Sequence, residues 1–206
     1  MKISLILAHP NLGSFNHSIA QAAENTLEAC GHDVAFHDLY QEGFDPILPY
    51  KEIAKGADVN MVVKKHCSEI ASADGIIIVH PNWWGMPPAI LKGWVDRVIR
   101  PGVAYEFLEN DSGEGVPRGL LRAGKAIVFN TSNTYQEREH QAFGDPLETL
   151  WKNCIFGLCG VKDFYRTTYR VVVTSTPAQR RAWLENVRET VAEYFPKDEV
   201  AGDDCI

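Results

Sequence analysis

Three short segments of this chain hold side chains able to do chemistry together. HPNLGSFNHS, His9 to Ser18, gathers Gly13, Ser14, Asn16 and Ser18 where a helix should begin. Small side chains, hydroxyls and free backbone N–H groups at a helix N-terminus suit a phosphate, because that end carries partial positive charge. The same residues also make an ordinary N-cap with a tight turn. HPNWWGMPPAILKGW, from His80 to Trp94, sets Trp83 and Trp84 side by side in the loop between a strand and a helix. Two indoles on a proline-flanked loop can stack on a planar heterocycle while nearby N–H groups reach its edge; the plainer reading packs one of them under the helix. NTSNTYQEREHQAFGD, Asn130 to Asp145, offers Thr131, Ser132, Asn133 and Thr134 as hydrogen-bonding groups for the rim of such a ring. Tyr135 and His140 are its candidate proton donors, although His140 in EREHQ also reads as a solvated residue on a charged turn.

Other chemistries lack their residues. The chain has no G-x-x-x-x-G-K-[ST] loop, no G-x-G-x-x-G fingerprint and no G-x-S-x-G elbow. Its five cysteines, Cys30, Cys67, Cys154, Cys159 and Cys205, are scattered and make neither a disulfide framework nor a zinc set. They read as small buried hydrophobes. A net charge of −7 argues against general affinity for nucleic acid or an anionic membrane. The opening MKISLILAHP is too short in apolar residues for a signal peptide. No run approaches the roughly 20 apolar residues of a membrane span. A cytoplasmic protein is the simplest expectation.

The elements that must position these loops follow from periodicity. KISLILA, HDVAFHDL, DGIIIVH, KAIVFN and DFYRTTYRVVVT predict five strands, the first nearly continuous in apolar residues. Helices are expected over Asn16 to Cys30, about Ile53 to Ile70, Pro88 to Ile99 and Leu147 to Cys159, with a last one from Pro177. Ser14 or Asn16 caps the first, and Gly31 ends it. In the third, Ile90, Leu91, Trp94, Val95 and Val98 form one stripe. Val103 to Gly119 reads as irregular, and the acidic tail after Pro196 as loose. Strands alternating with helices imply a parallel sheet covered on both faces, here taken as one domain over 1–206. A flavodoxin-like three-layer sandwich with strand order 2-1-3-4-5 is the preferred topology, although periodicity does not separate it from other doubly wound orders. In this architecture ligands sit beyond the strand C-termini, where all three segments fall.

With the segments placed, the chain resembles the NAD(P)H:quinone oxidoreductase family, meaning mammalian quinone reductase (DT-diaphorase) and its bacterial flavodoxin-fold relatives. The resemblance rests on LAHP…SFN (Leu7 to Asn16), GFDPI (Gly43 to Ile47), PNWWGMPPAILKGWVDRV and GVAYEF, and spans most of the chain. It implies a flavin, FMN rather than FAD being preferred, with NAD(P)H as hydride donor and a homodimer with active sites at the interface. His9 matches the family histidine near the flavin phosphate, and Ser14, Phe15 and Asn16 match the phosphate turn. Pro81, Asn82, Trp83, Trp84 and Gly85 fall on the loop that holds the flavin ring. Tyr105 and Phe107 match aromatics that reach the partner's active site, and with Trp84 they would wall the substrate slot. The strand-four loop departs from the family pattern. Relatives carry T-T-G-G followed by a tyrosine and a histidine, and aligning back from Gly144-Asp145 puts Phe143 at the histidine's place.

The expected reaction is two-electron, ping-pong transfer from NAD(P)H through flavin N5 to a quinone or similar acceptor. Rival expectations are an azo- or nitro-compound reductase on the same scaffold, a regulatory subunit of a potassium-efflux transporter, and a single-electron carrier. Whether the acidic segment GEGVPRG, Gly113 to Gly119, forms a lid stays open at this point.

Overall fold

Five apolar runs become the strands of one parallel sheet in a computed structural model that describes residues 1–108, 115 and 117–197. In chain order the elements are β1 (Lys2–Leu7), α1 (Phe15–Ala29), β2 (Asp33–Asp38), α2 (Met61–Ser72), β3 (Gly75–Pro81) and α3 (Ala89–Val98). A small antiparallel pair follows, β4 (Tyr105–Glu106) with β5 (Arg118–Gly119), inside the stretch expected to be irregular. Then come β6 (Lys125–Ser132), α4 (Gln136–Phe143), α5 (Pro146–Glu148) continuing as a π-helix over Thr149–Gly157, β7 (Asp163–Arg170) and α6 (Pro177–Tyr194). The sheet order β2-β1-β3-β6-β7 is the expected 2-1-3-4-5 order, with every neighbour parallel.

The strand side chains divide between two cores. Ile3, Leu5, Leu7, Ile77, Val79, Ile127 and Phe129 meet α1 and α6 on one face. Ile6, Ile76, Ile78 and Val128 meet α2, α3 and the π-helix on the other. Strands buried on both faces cannot alternate apolar with polar residues, which is why these runs read as continuous. Each such side chain contributes about 1.5–3 kcal/mol of burial. The GFDPI segment is held by close approach: a Cβ on Gly93 of α3 would lie 2.1 Å from the carbonyl oxygen of Pro46.

Four boundaries differ from expectation. Helix α2 starts at Met61, not near Ile53, because Asn60 caps it (Val63 N–H to Oδ1, 2.9 Å) and Gly56 turns the chain before it at φ 73°. Strand β6 runs on to Ser132, so Thr131 and Ser132 belong to the sheet and not to the loop. Strand β7 stops at Arg170 because Val171 adopts a left-handed φ of 58°, and Val172–Thr174 form a 3₁₀ turn. Helix α4 falls where a polar loop was expected. The described part of Gly113 to Gly119 is Gly115 and 117–119. Cys205 and the tail from 198 lie outside the described residues.

Neighbouring residues at the end of β2 serve opposite faces. His37 joins a buried cluster: Nδ1 lies 2.7 Å from Glu42 and Nε2 2.7 Å from Glu69. His66 stacks 3.9 Å from it and accepts the indole N–H of Trp94 on Nδ1 (3.0 Å). Nε2 of His66 therefore carries its proton and points it at Glu42, 3.2 Å away. That satisfies the cluster internally and leaves His66 no lone pair for a metal.

Candidate active site

The chain leaves β1 toward one face of the sheet and β3 toward the other, and this divergence opens a crevice at the strand ends. A cleft of about 930 Å³ lies there, within the range of cofactor pockets. Its walls come from the β1–α1 loop, the β3–α3 loop, the end of β6 with α4, and the turn after β7.

The β3–α3 wall is a strained turn. Trp83 and Met86 exchange both backbone hydrogen bonds (3.1 and 3.0 Å) around Trp84-Gly85, whose φ angles are 58° and 72°. Two consecutive positive φ values define a type I′ turn, a geometry that favours Asn-Gly and disfavours tryptophan. Gly85 is required twice over, since a Cβ there would also lie 2.7 Å from Pro146. Trp84 is fully exposed, and Trp83 is 41% exposed with its ring 6.0 Å from His9. Holding a bulky residue left-handed costs about 1–3 kcal/mol. Trp84, Asp145 and Val171 are the non-glycine residues with positive φ among those described; Trp84 lines the cleft, and the other two immediately precede the lining residues Pro146 and Val172.

The β1–α1 wall has the donor set of an anion seat. Ser14 caps α1, its Oγ accepting the N–H of His17 at 3.3 Å. The N–H groups of Phe15 and Asn16 open the helix and have no intrahelical acceptor. Burial holds the His9 imidazole below its ordinary titration range, and the N–H of Asn11 donates to its Nδ1 at 3.1 Å. The Asn11 carbonyl oxygen lies 3.3 Å from the same nitrogen, and burial disfavours the charged ring. Every donor of the seat is a neutral group.

Beneath the loops lies a polar network. His80 is wholly buried, and desolvation drops its pKa to about 3. Its Nδ1 proton goes to the Pro81 carbonyl (2.8 Å), while Nε2 accepts Trp151 Nε1 and Asn130 Nδ2 at 2.9 Å each. Asn130 in turn accepts from Arg166 at 2.7 Å, and Arg166 forks onto Asp145 with two bonds of 2.9 Å. Burial opposes ionisation of Asp145, but the Arg166 guanidinium outweighs it and holds the carboxyl below its ordinary range. Asn82 donates to Glu139 and accepts from Gly85 (2.9 Å), and buried Glu139 pairs with Arg170. These bonds fix the tryptophan turn to α4 and β7.

Of the expected site residues, His9, Ser14, Phe15, Asn16, Pro81, Asn82, Trp83, Trp84, Gly85, Thr131, Ser132 and Asn133 come together on the cleft wall. The side chains of the last three are already engaged. Thr131 pairs with Asn16 (3.0 Å), Ser132 accepts from Thr134 N–H (3.1 Å) and Asn133 from Val173 N–H (3.0 Å). They shape the wall and leave ring contacts to the backbone. Ser18 is not on the wall: it sits one turn along α1 and is exposed. Tyr135 and His140 stand outside it too. Tyr135 is the exposed N-cap of α4, and His140 faces Asp145 at 3.6 Å on a neighbouring depression. Tyr105 and Phe107 pack on each other at 5.8 Å, away from the cleft of their own chain. Thr134, offered with the same segment, lines the wall too, whereas sequence reasoning missed Arg138, Glu139, Pro146, Val172, Val173 and Arg180. Phe143 lines the cleft, at the position that alignment from Gly144-Asp145 had singled out.

Known proteins are similar to this chain in sequence and fold. Residues 1–195 match the family described as flavodoxin-like fold. A relative from Haemophilus influenzae named an uncharacterized NAD(P)H oxidoreductase is 35% identical over 186 residues, covering 88% of this chain and 89% of that one. The ribosyldihydronicotinamide dehydrogenase [quinone] of Pongo abelii is 30% identical over 182 residues, 78% of each chain. A solved NAD(P)H:quinone oxidoreductase from Methanothermobacter marburgensis superposes with a TM-score of 0.79 at 26% identity, covering 93% of this chain and 95% of that one. The chain belongs to the flavodoxin-like fold family, among members named as NAD(P)H oxidoreductases and dehydrogenases.

Proposed function

We propose that this protein is a flavin-dependent NAD(P)H oxidoreductase that delivers two electrons to a quinone-like acceptor. One observation carries the reading: a single cleft joins an anion seat to an exposed indole pair. The donor set fits a phosphorylated flavin. Ser14, the first N–H groups of α1 and neutral His9 suit the phosphate, and Trp83 and Trp84 suit a flat ring. FMN is the preferred form, since the seat provides for one phosphate group; FAD is the alternative. When bound, a flavin would supply the redox chemistry, relaying a hydride equivalent from NAD(P)H to the acceptor, with Ser14, His9, Trp83 and Trp84 holding it.

The residues of the chain bind, orient and exclude water. The network under Pro81 and Asn82 holds the tryptophan turn rigid, so that two planar reactants meet at a fixed distance. Arg138 lines the cleft with no ion-pair partner among the described residues, and offsets negative charge that develops on the ring. The working unit is a homodimer in this reading, with Tyr105 and Phe107 reaching the partner's cleft and walling the acceptor slot together with Trp84. Partial exposure of Phe107 and Leu108 supports it.

The test is occupancy followed by turnover. Purified protein is titrated with FMN and with FAD, then assayed with NADH and NADPH against a soluble quinone and an azo dye. Saturable flavin binding and quinone turnover support the proposal. Preference for the dye would move it to an azoreductase. Flavin binding without turnover, together with co-purification of a potassium-efflux transporter, would move it to the regulatory subunit. No helix among the described residues is long and apolar enough to cross a membrane.

A further inference from the structure

The anion seat is wired to a buried carboxylate through a histidine. Asp38, at the end of β2, accepts the N–H groups of Tyr40 and Gln41 on Oδ1 (3.1 and 3.2 Å) and faces His17 Nε2 with Oδ2 (2.8 Å). An ionised carboxylate only accepts, so Nε2 of His17 carries a proton. The other ring nitrogen, Nδ1, lies 2.9 Å from Ser14 Oγ. Two arrangements satisfy this contact. With a neutral ring, Nδ1 accepts the Ser14 hydroxyl proton, and the serine turns lone pairs toward the cleft. With an imidazolium, Nδ1 donates to Oγ. The serine oxygen then accepts both that proton and the backbone N–H of His17, and its own hydroxyl proton is released toward the cleft that Ser14 lines.

A phosphate monoester dianion presents only acceptors, so it selects the second arrangement. We infer that binding of a phosphorylated flavin in this seat is coupled to the uptake of one proton by His17, with Asp38 as the counter-charge that holds the ring. The inference rests on the flavin reading above and deepens it, because it makes Ser14, His17 and Asp38 a sensor for the phosphate group itself. The ionisable groups recorded against His17 are Asp38 from β2 and His9 from the β1–α1 loop, whose ring centroid lies 6.2 Å away. Burial holds His9 below its ordinary titration range, and the nearby His17 lowers it further, so the two rings disfavour being charged together. His37, one residue before Asp38, shows the contrast: carboxylates occupy both of its ring nitrogens, and no ligand can reach either.

The experiment is calorimetric titration of the full chain with FMN and with riboflavin at pH 8, in two buffers of different ionisation enthalpy. At that pH the FMN phosphate, with a second pKa of about 6, is already a dianion and contributes little to the proton count. The expected result is close to one proton taken up per FMN and none per riboflavin. Asp38→Asn and His17→Gln abolish the uptake and weaken FMN about tenfold while riboflavin affinity stays within about twofold. His9→Gln keeps the uptake. An uptake near zero in the parent protein, or one that survives in both His17→Gln and Asp38→Asn, overturns the inference while leaving the flavin site standing. Failure of both ligands to bind removes the flavin reading and this inference with it.

Discussion

Two pairs of tryptophans divide the labour of this molecule. Trp94 and Trp151 are fully buried on one face of the sheet, and each indole N–H donates to a buried histidine, His66 at 3.0 Å and His80 at 2.9 Å. Trp83 and Trp84 sit at the strand ends, exposed, with Trp84 in a left-handed conformation that tryptophan rarely adopts. One pair has every polar atom and every face matched by protein. The other has its faces open and its backbone strained. The difference separates what the fold needs from what a ligand needs, because strain that no packing rewards persists only where something else selects it.

If that division holds, substitutions at the two pairs should differ in kind. Trp151→Ala should destabilise most, by about 3–5 kcal/mol in chemical denaturation, because it empties the core and leaves His80 Nε2 one donor short. Acid should attack the same pair next. His66 and His80 have folded pKa values of about 3 against an ordinary 6.5, both chiefly through desolvation. Between those limits the unfolded chain binds more protons, so stability falls as pH falls. The loss for His80 is about 1.4 kcal/mol per pH unit below pH 6. His80→Gln should flatten the measured slope between pH 7 and 5; an unchanged slope would mean that the core histidines are not neutral.

The loop pair should answer in the opposite sense. Trp84→Gly relieves the left-handed strain and should raise stability by about 1 kcal/mol. It should weaken flavin binding about tenfold, followed by fluorescence titration. Trp84→Ala, which keeps the unfavourable φ, should lose the same affinity and change stability by less than about 0.5 kcal/mol. A loss of stability in both variants would erase the distinction between the pairs.

Much of this was legible before any coordinates. Continuous apolar runs marked the strands, and Ser14, one of two cap candidates with Asn16, is the N-cap of α1. Of the stripe Ile90, Leu91, Trp94, Val95 and Val98, the structure buries Leu91, Trp94 and Val98 and leaves Ile90 and Val95 half-buried on α3. What stayed hidden has physical causes. Helix α4 buries only Glu139, matched by Arg170 from a distant strand, so it has no hydrophobic stripe to read. The end of β7 is set by a left-handed Val171, which no β-branched propensity signals, and it delivers Val172 and Val173 to the cleft. Tyr135 and His140 had the right chemistry for proton donors, but α4 carries both outside the cleft wall. Residue type marked which loops line the cleft, whereas local geometry decided which side chains enter it.

The central claim is that the cleft binds a flavin and lets NAD(P)H reduce it. The most direct measurement is anaerobic: flavin-loaded protein is mixed with NADPH while flavin absorbance is followed, and a quinone is then added. Rapid bleaching followed by recovery on quinone addition is the predicted result. Tight flavin binding with no bleaching by NADPH or NADH would contradict the account, and no flavin binding at all would remove the role given to Trp83 and Trp84.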